Sequence, residues 1–84
     1  MGYGKFENVL ATILSGASDN NISFTDLSYI LKSLDFELRI KGDHFIYTHP
    51  SIIEIVNIQP LGNKAKAYQV KQVRNLILKY KLAR

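Results

Sequence analysis

The sequence predicts an α+β domain in the order α-α-β-β-β-α, with helices covering one face of a three-stranded antiparallel sheet. Two observations carry this. Apolar residues recur at helical spacing up to Leu34 and again from Val70, whereas from Phe36 the period drops to two. Gly16, Gly42, Pro50, Pro60 and Gly62 punctuate the chain where one element must end and the next begin.

Each element follows from its residues. Phe6, Val9, Leu10, Ile13 and Leu14 give residues 3–15 an amphipathic helical stripe, and Gly16 can stop it. The small, polar stretch 17–21 reads as a loop. Ser23 opens a second helix: Asp26 stands where a capping box needs an acid, and Ile22 and Leu27 are spaced for a hydrophobic staple. Leu27, Ile30, Leu31 and Leu34 form its buried stripe. Phe36, Leu38 and Ile40 then alternate with Glu37, Arg39 and Lys41, a strand with one wet face. Gly42 supplies a tight turn, Asp43–Thr48 returns antiparallel, and Pro50 ends the ladder. Glu54–Ile58 reads as a β-branched third strand ended by Pro60, and 59–67 as a loop. Val70, Val73, Leu76, Ile77 and Tyr80 mark a last helix with Lys71, Arg74 and Lys79 turned outward.

The chain has 84 residues, the size of one domain, and 46% of them are hydrophobic. It has no cysteine, which excludes a disulfide framework and a thiolate zinc site and fits a reducing, cytoplasmic setting. No continuous apolar run suggests a signal peptide or a membrane span. The net charge is +4, distributed unevenly: residues 55–84 hold seven bases and no acid, whereas residues 1–54 hold four bases and seven acids. A basic half of this kind attracts polyanions, RNA among them, although a solvated lysine-rich helix face accounts for it as well.

Few catalytic residue types remain. Two histidines without cysteine and without metal-ligand spacing argue against a metal cage, and no phosphate-binding glycine loop or nucleophile elbow occurs. No cofactor is expected. RNA cleavage passes this filter because RNA carries its own nucleophile, the 2′-hydroxyl. One general base and one or two cations then suffice, without a metal. Histidine has an ordinary pKa of about 6.5 and suits the base role. His44 is the candidate, with Lys41, Lys64 or Lys66 holding phosphate and Lys71 and Arg74, three apart on the last helix, straddling a phosphate groove. The plainer alternative leaves His44 as a strand residue satisfied by a neighbour. His49, before Pro50, reads as a turn-capping ring. Phe45 and Tyr47 share the strand face opposite His44 and read as core, the alternative being platforms for base stacking.

The segment Lys41-Gly42-Asp43-His44-Phe45-Ile46-Tyr47-Thr48-His49-Pro50 resembles the signature of the HicA toxin family. That signature is Gly-Ser-His-His, an aromatic residue two positions later, then often His-Pro; Asp43 and Phe45 stand where it has serine and the second histidine. The helix ending in Leu34-Asp35-Phe36 resembles the family's leading helix running into a glycine followed by tryptophan or phenylalanine. Gln69–Ile77 resembles its closing helix, after a Gly/Lys-rich loop matched here by Gly62-Asn63-Lys64-Ala65-Lys66. The likeness covers about residues 23–82, leaving an extra amino-terminal helix, 1–16, outside the family core. The resemblance implies a double-stranded-RNA-binding-like fold and an endoribonuclease that cleaves messenger RNA. It also implies membership of a type II toxin–antitoxin pair: a monomer when free, neutralised in a hetero-oligomer with a HicB-type antitoxin. The family's catalytic histidine falls on His44. A non-catalytic RNA-binding module, or a decayed toxin that only holds its antitoxin, is the alternative.

Overall fold

The computed structural model of the chain describes residues 4–83. The expected start of the first helix at Tyr3 and the last base of the basic half, Arg84, lie outside the described residues. The elements are α1 (Lys5–Ser15), a short 3-10 turn (Asp19–Asn21), α2 (Phe24–Ser33), β1 (Glu37–Lys41), β2 (His44–His49), β3 (Ile52–Ile58) and α3 (Ala67–Tyr80). The described residues form a small α+β domain of three α-helices and three antiparallel strands, and none of these helices is long and apolar enough to cross a membrane.

Local chemistry sets the helix ends. Ser23 caps α2 by accepting from the Asp26 amide at 3.0 Å, while Ile22 and Leu27 are both buried, as a hydrophobic staple requires. At the other end of α2 the Phe36 amide donates to the Leu31 carbonyl and the Asp35 amide to the Lys32 carbonyl. This closes the helix through Asp35 at φ +71°, a left-handed position filled by a non-glycine residue. The chain then leaves directly into β1. In α3, Lys66 occupies the cap position, and the Gln69 side-chain oxygen reaches back to accept from its amide at 3.2 Å.

The sheet runs β1-β2-β3. In an antiparallel ladder, directly paired residues share a face. The register Leu38↔Tyr47↔Val56 and Phe45↔Ile58 therefore defines the face toward the helices, where Tyr47, Val56 and Ile58 are fully buried. There they join Ile13 of α1, Leu27, Ile30 and Leu31 of α2, and Val70, Val73, Leu76 and Ile77 of α3. Each such side chain stabilises the fold by about 1.5–3 kcal/mol through burial. Phe45 completes the core by an edge-to-face contact with Phe24, ring centroids 4.9 Å apart. Phe45 and Tyr47 are thus core residues and offer no platform for bases.

The third strand starts two residues earlier than its composition predicts, at Ile52. Pro50 and Ser51 form the connection between β2 and β3, so pairing resumes at once as His49↔Ile52. His49 stabilises that turn, its Nδ1 accepting from the Ser51 amide at 3.0 Å while its ring packs edge-on against Phe36. The early start places Ile53, 93% exposed, on the face away from the helices, together with Ile55. The amino-terminal helix α1 packs on the domain: Ile13 is fully buried and Phe6, Val9 and Leu10 line the core.

Candidate active site on the open sheet face

The second register set, Arg39↔Ile46↔Asn57 and Lys41↔His44, defines the face that none of the described helices covers. His44 is the first residue of β2, fixed there by the Gly42-Asp43 turn. Gly42 takes φ +62°, a conformation that glycine adopts without the steric cost other residues meet. This turn makes Lys41 the direct cross-strand partner of His44. The imidazole is 46% exposed and lies in a polar cluster. Its Nδ1 is 3.1 Å from Asn57 Oδ1. Its Nε2 is 3.5 Å from Gln59 Nε2 and 3.7 Å from Asp43 Oδ1. Gln59 in turn donates to Asp43 Oδ2 at 3.3 Å, tying the turn to the end of β3. Further along the same face, Glu37, Arg39, Ile46, Thr48 and Ile55 line a shallow cleft.

The five expected RNA-contacting cations do not converge. Lys41 stands beside His44. Lys64 and Lys66 belong to the helix layer: Lys64 Nζ donates to Asn21 Oδ1 at 2.9 Å, and its loop docks on the start of α2 through Phe24 N–Asn63 O and Ala65 N–Ile22 O bonds of 3.0 Å. Lys71 is exposed on α3. Arg74 corrects the outward assignment of that helix's cations. Its side chain is only 15% exposed, and its Nη1 donates to Asp19 Oδ1 at 2.8 Å and to the Ile13 carbonyl at 3.2 Å. Helical periodicity places Arg74 off the apolar stripe of α3, but it cannot show that α1 and its following turn pack over that flank. Gly16 at the end of α1 sits directly against the guanidinium: a Cβ there would come within 3.5 Å of it. Arg74 is therefore a clamp between α1 and α3 and is not available to a phosphate groove.

Three site members escaped the sequence. Asn57 and Gln59 come to His44 only through the β2–β3 register, and Arg39 joins the open face two residues from Lys41. The alternation of β1 carried a signal for Arg39, since it shares the wet face of that strand with Lys41; nothing local marked Asn57 or Gln59. Among the described residues, no three His, Cys, Asp or Glu side chains gather as a metal-ligand group.

A separate ionic contact locks α3 to β3. The Tyr80 hydroxyl donates to Glu54 Oε1 at 2.5 Å and Lys79 Nζ to Oε2 at 2.9 Å. Chiefly through the Tyr80 bond, then the Lys79 bond, the Glu54 carboxyl is held at about 2. The same contacts push Lys79 and Tyr80 upward. This group fastens the helix layer to the sheet and lies on the opposite face from His44.

Compared with family models, with curated proteins and with solved structures, the chain shows no match.

Proposed function

We propose that the protein is a metal-independent endoribonuclease, the toxin of a toxin–antitoxin pair, built on a double-stranded-RNA-binding-like fold and working through His44. One observation carries the reading: an accessible imidazole on an uncovered sheet face, with an ammonium-bearing residue as its direct cross-strand neighbour. In this chemistry the neutral ring removes the 2′-hydroxyl proton. The freed oxygen forms a bond to the adjacent phosphorus, and the bond to the 5′-oxygen breaks. The products are a 2′,3′-cyclic phosphate and a 5′-hydroxyl, the leaving oxygen taking its proton from solvent. Lys41 and Arg39 steady the charge that builds on the phosphorane. Exposed Lys64 and half-buried Lys66 draw the RNA in from a distance, because a basic field accelerates encounter without touching the reacting atoms. A HicB-type antitoxin neutralises the enzyme by covering His44 on the open face.

Purified protein incubated with labelled RNA, with and without EDTA and beside the His44→Ala variant, tests this. Wild-type cleavage that survives EDTA and disappears in His44→Ala is the expected result. Persistent cleavage by His44→Ala removes the catalytic assignment. Salt-dependent RNA binding without any product leaves a binding module.

A further inference from the structure

We infer that Asn57 is the positioning residue of His44: it holds the ring as the Nδ1–H tautomer and leaves the lone pair of Nε2 as the proton acceptor. The catalytic consequence rests on the nuclease reading; the tautomer does not.

A chain of donors and acceptors anchored on a carboxylate leads to this assignment. An ionised carboxylate only accepts hydrogen bonds. Gln59 must therefore turn its amide nitrogen toward Asp43 Oδ2, 3.3 Å away. That same nitrogen is the Gln59 atom that faces His44 Nε2, at 3.5 Å. Two N–H donors facing each other repel, so Nε2 of the neutral ring is the acceptor. The ring hydrogen must then sit on Nδ1, and the group 3.1 Å from Nδ1 is Asn57 Oδ1, an acceptor. Gln59 and Asn57 thus read the same tautomer, starting from a group with no choice of role, while Asp43 Oδ1, 3.7 Å from Nε2, lies beyond hydrogen-bond reach of it.

Position follows from the sheet. Asn57 pairs with Ile46, next but one to His44 in β2, so the two side chains share the open face diagonally across the β2–β3 ladder. The contact joins two paired strands and so fixes the ring plane as well as the tautomer. In the nuclease, Nε2 is then the atom that meets the 2′-hydroxyl, with Gln59 giving way to substrate. Asp43 Oδ1, 3.7 Å from Nε2, faces the proton once it has arrived.

The experiment records the imidazole nitrogen and carbon-proton correlations of 15N-labelled protein by NMR, in conditions where His44 is neutral. Three forms are compared: wild type, Asn57→Leu and Asn57→Asp. The wild type is expected to give the Nδ1–H pattern. Asn57→Leu removes the acceptor at similar size and should shift the signals toward the Nε2–H form. Asn57→Asp keeps an acceptor and should restore the wild-type pattern. Single-turnover RNA cleavage should fall about tenfold or more in Asn57→Leu, with RNA affinity within about twofold of wild type, and should recover in Asn57→Asp. A wild-type ring that is mainly Nε2–H overturns the assignment, because Asn57 would then be donating. So does an Nδ1–H pattern that persists in Asn57→Leu. Should the wild type cleave no RNA, the nuclease reading falls, while the NMR comparison still decides the role of Asn57.

Discussion

Replacing Arg74 by alanine separates a structural cation from a nucleic-acid contact. The guanidinium bridges two elements distant in sequence, donating to the Asp19 carboxylate at 2.8 Å and the Ile13 carbonyl at 3.2 Å, with side chains only 15% and 21% exposed at Arg74 and Asp19. Truncation leaves a largely buried carboxylate without its partner. A charge-assisted hydrogen bond contributes about 1.5–3 kcal/mol, and orphaning a fully buried ion costs about 3–5 kcal/mol. The residual exposure of both groups places the loss at about 2–3 kcal/mol. A domain of this length has a total stability of about 4–12 kcal/mol, so the melting temperature should drop by about 10–20 °C. The assay is thermal unfolding of wild type, Arg74→Ala, Asp19→Ala and the double variant, in parallel with RNA binding across a salt series. The double variant should recover a coupling of about 2 kcal/mol, and the salt dependence of RNA binding should stay unchanged when measured well below the melting temperature. A stable Arg74→Ala protein with weakened, less salt-sensitive RNA binding would refute the clamp and return Arg74 to the phosphate groove.

Lys41→Ala should weaken RNA binding and lower the slope of log affinity against log salt by about 0.7, the contribution of one contact to a single strand, whereas Lys64→Ala should leave cleavage at bound RNA unchanged; equal effects on both would remove the special place of Lys41. The contact of Glu54 with Tyr80 and Lys79 gives a pH signature. The folded pKa of about 2 lies below the ordinary value of 4.5, so its stabilisation is complete above that ordinary value and is lost as the pH falls toward 2. Denaturant melts should show wild type more stable than Glu54→Gln near neutrality, with the gap closing between pH 4.5 and 2; a gap independent of pH would reject the ionic contact. On the alkaline side, the raised Tyr80 and Lys79 values mean that the same contact weakens as the pH climbs through their folded titrations. Asp35 holds φ +71° at the end of α2, so Asp35→Gly should stabilise by about 0.5 kcal/mol, relief of the left-handed strain outweighing the freer unfolded chain, and Asp35→Ala should destabilise by about 1 kcal/mol. Reversal of that order in thermal melts would mean that Asp35 contributes a contact instead of carrying strain.

The elements were legible because each rests on short-range chemistry. The Ser23 cap and the Ile22–Leu27 staple depend on residues within five positions; the cap forms and both staple residues are buried. The β1–β2 turn was equally legible, since Gly42 between two alternating runs leaves little choice of register, and that register makes Lys41 the neighbour of His44. The start of β3 was harder to see: proline at position 50 reads as a terminator, yet in a two-residue connection its missing N–H costs the ladder nothing.

The candidate site divides along the same line. The sequence by itself determined the order and type of the elements and placed His44 and Lys41 among the candidates on either side of one turn, because periodicity, caps and turns act over a few residues. Only the tertiary structure decided which polar groups surround that imidazole and which cations reach the open face. Asn57 and Gln59 lie 13 and 15 positions from His44 and meet it through strand pairing, while Arg74 lies 55 positions from Asp19 and is turned inward by packing. Contacts at such separations are set by how buried faces fit together. That fit is a property of the whole core and is not written in any local stretch of chain.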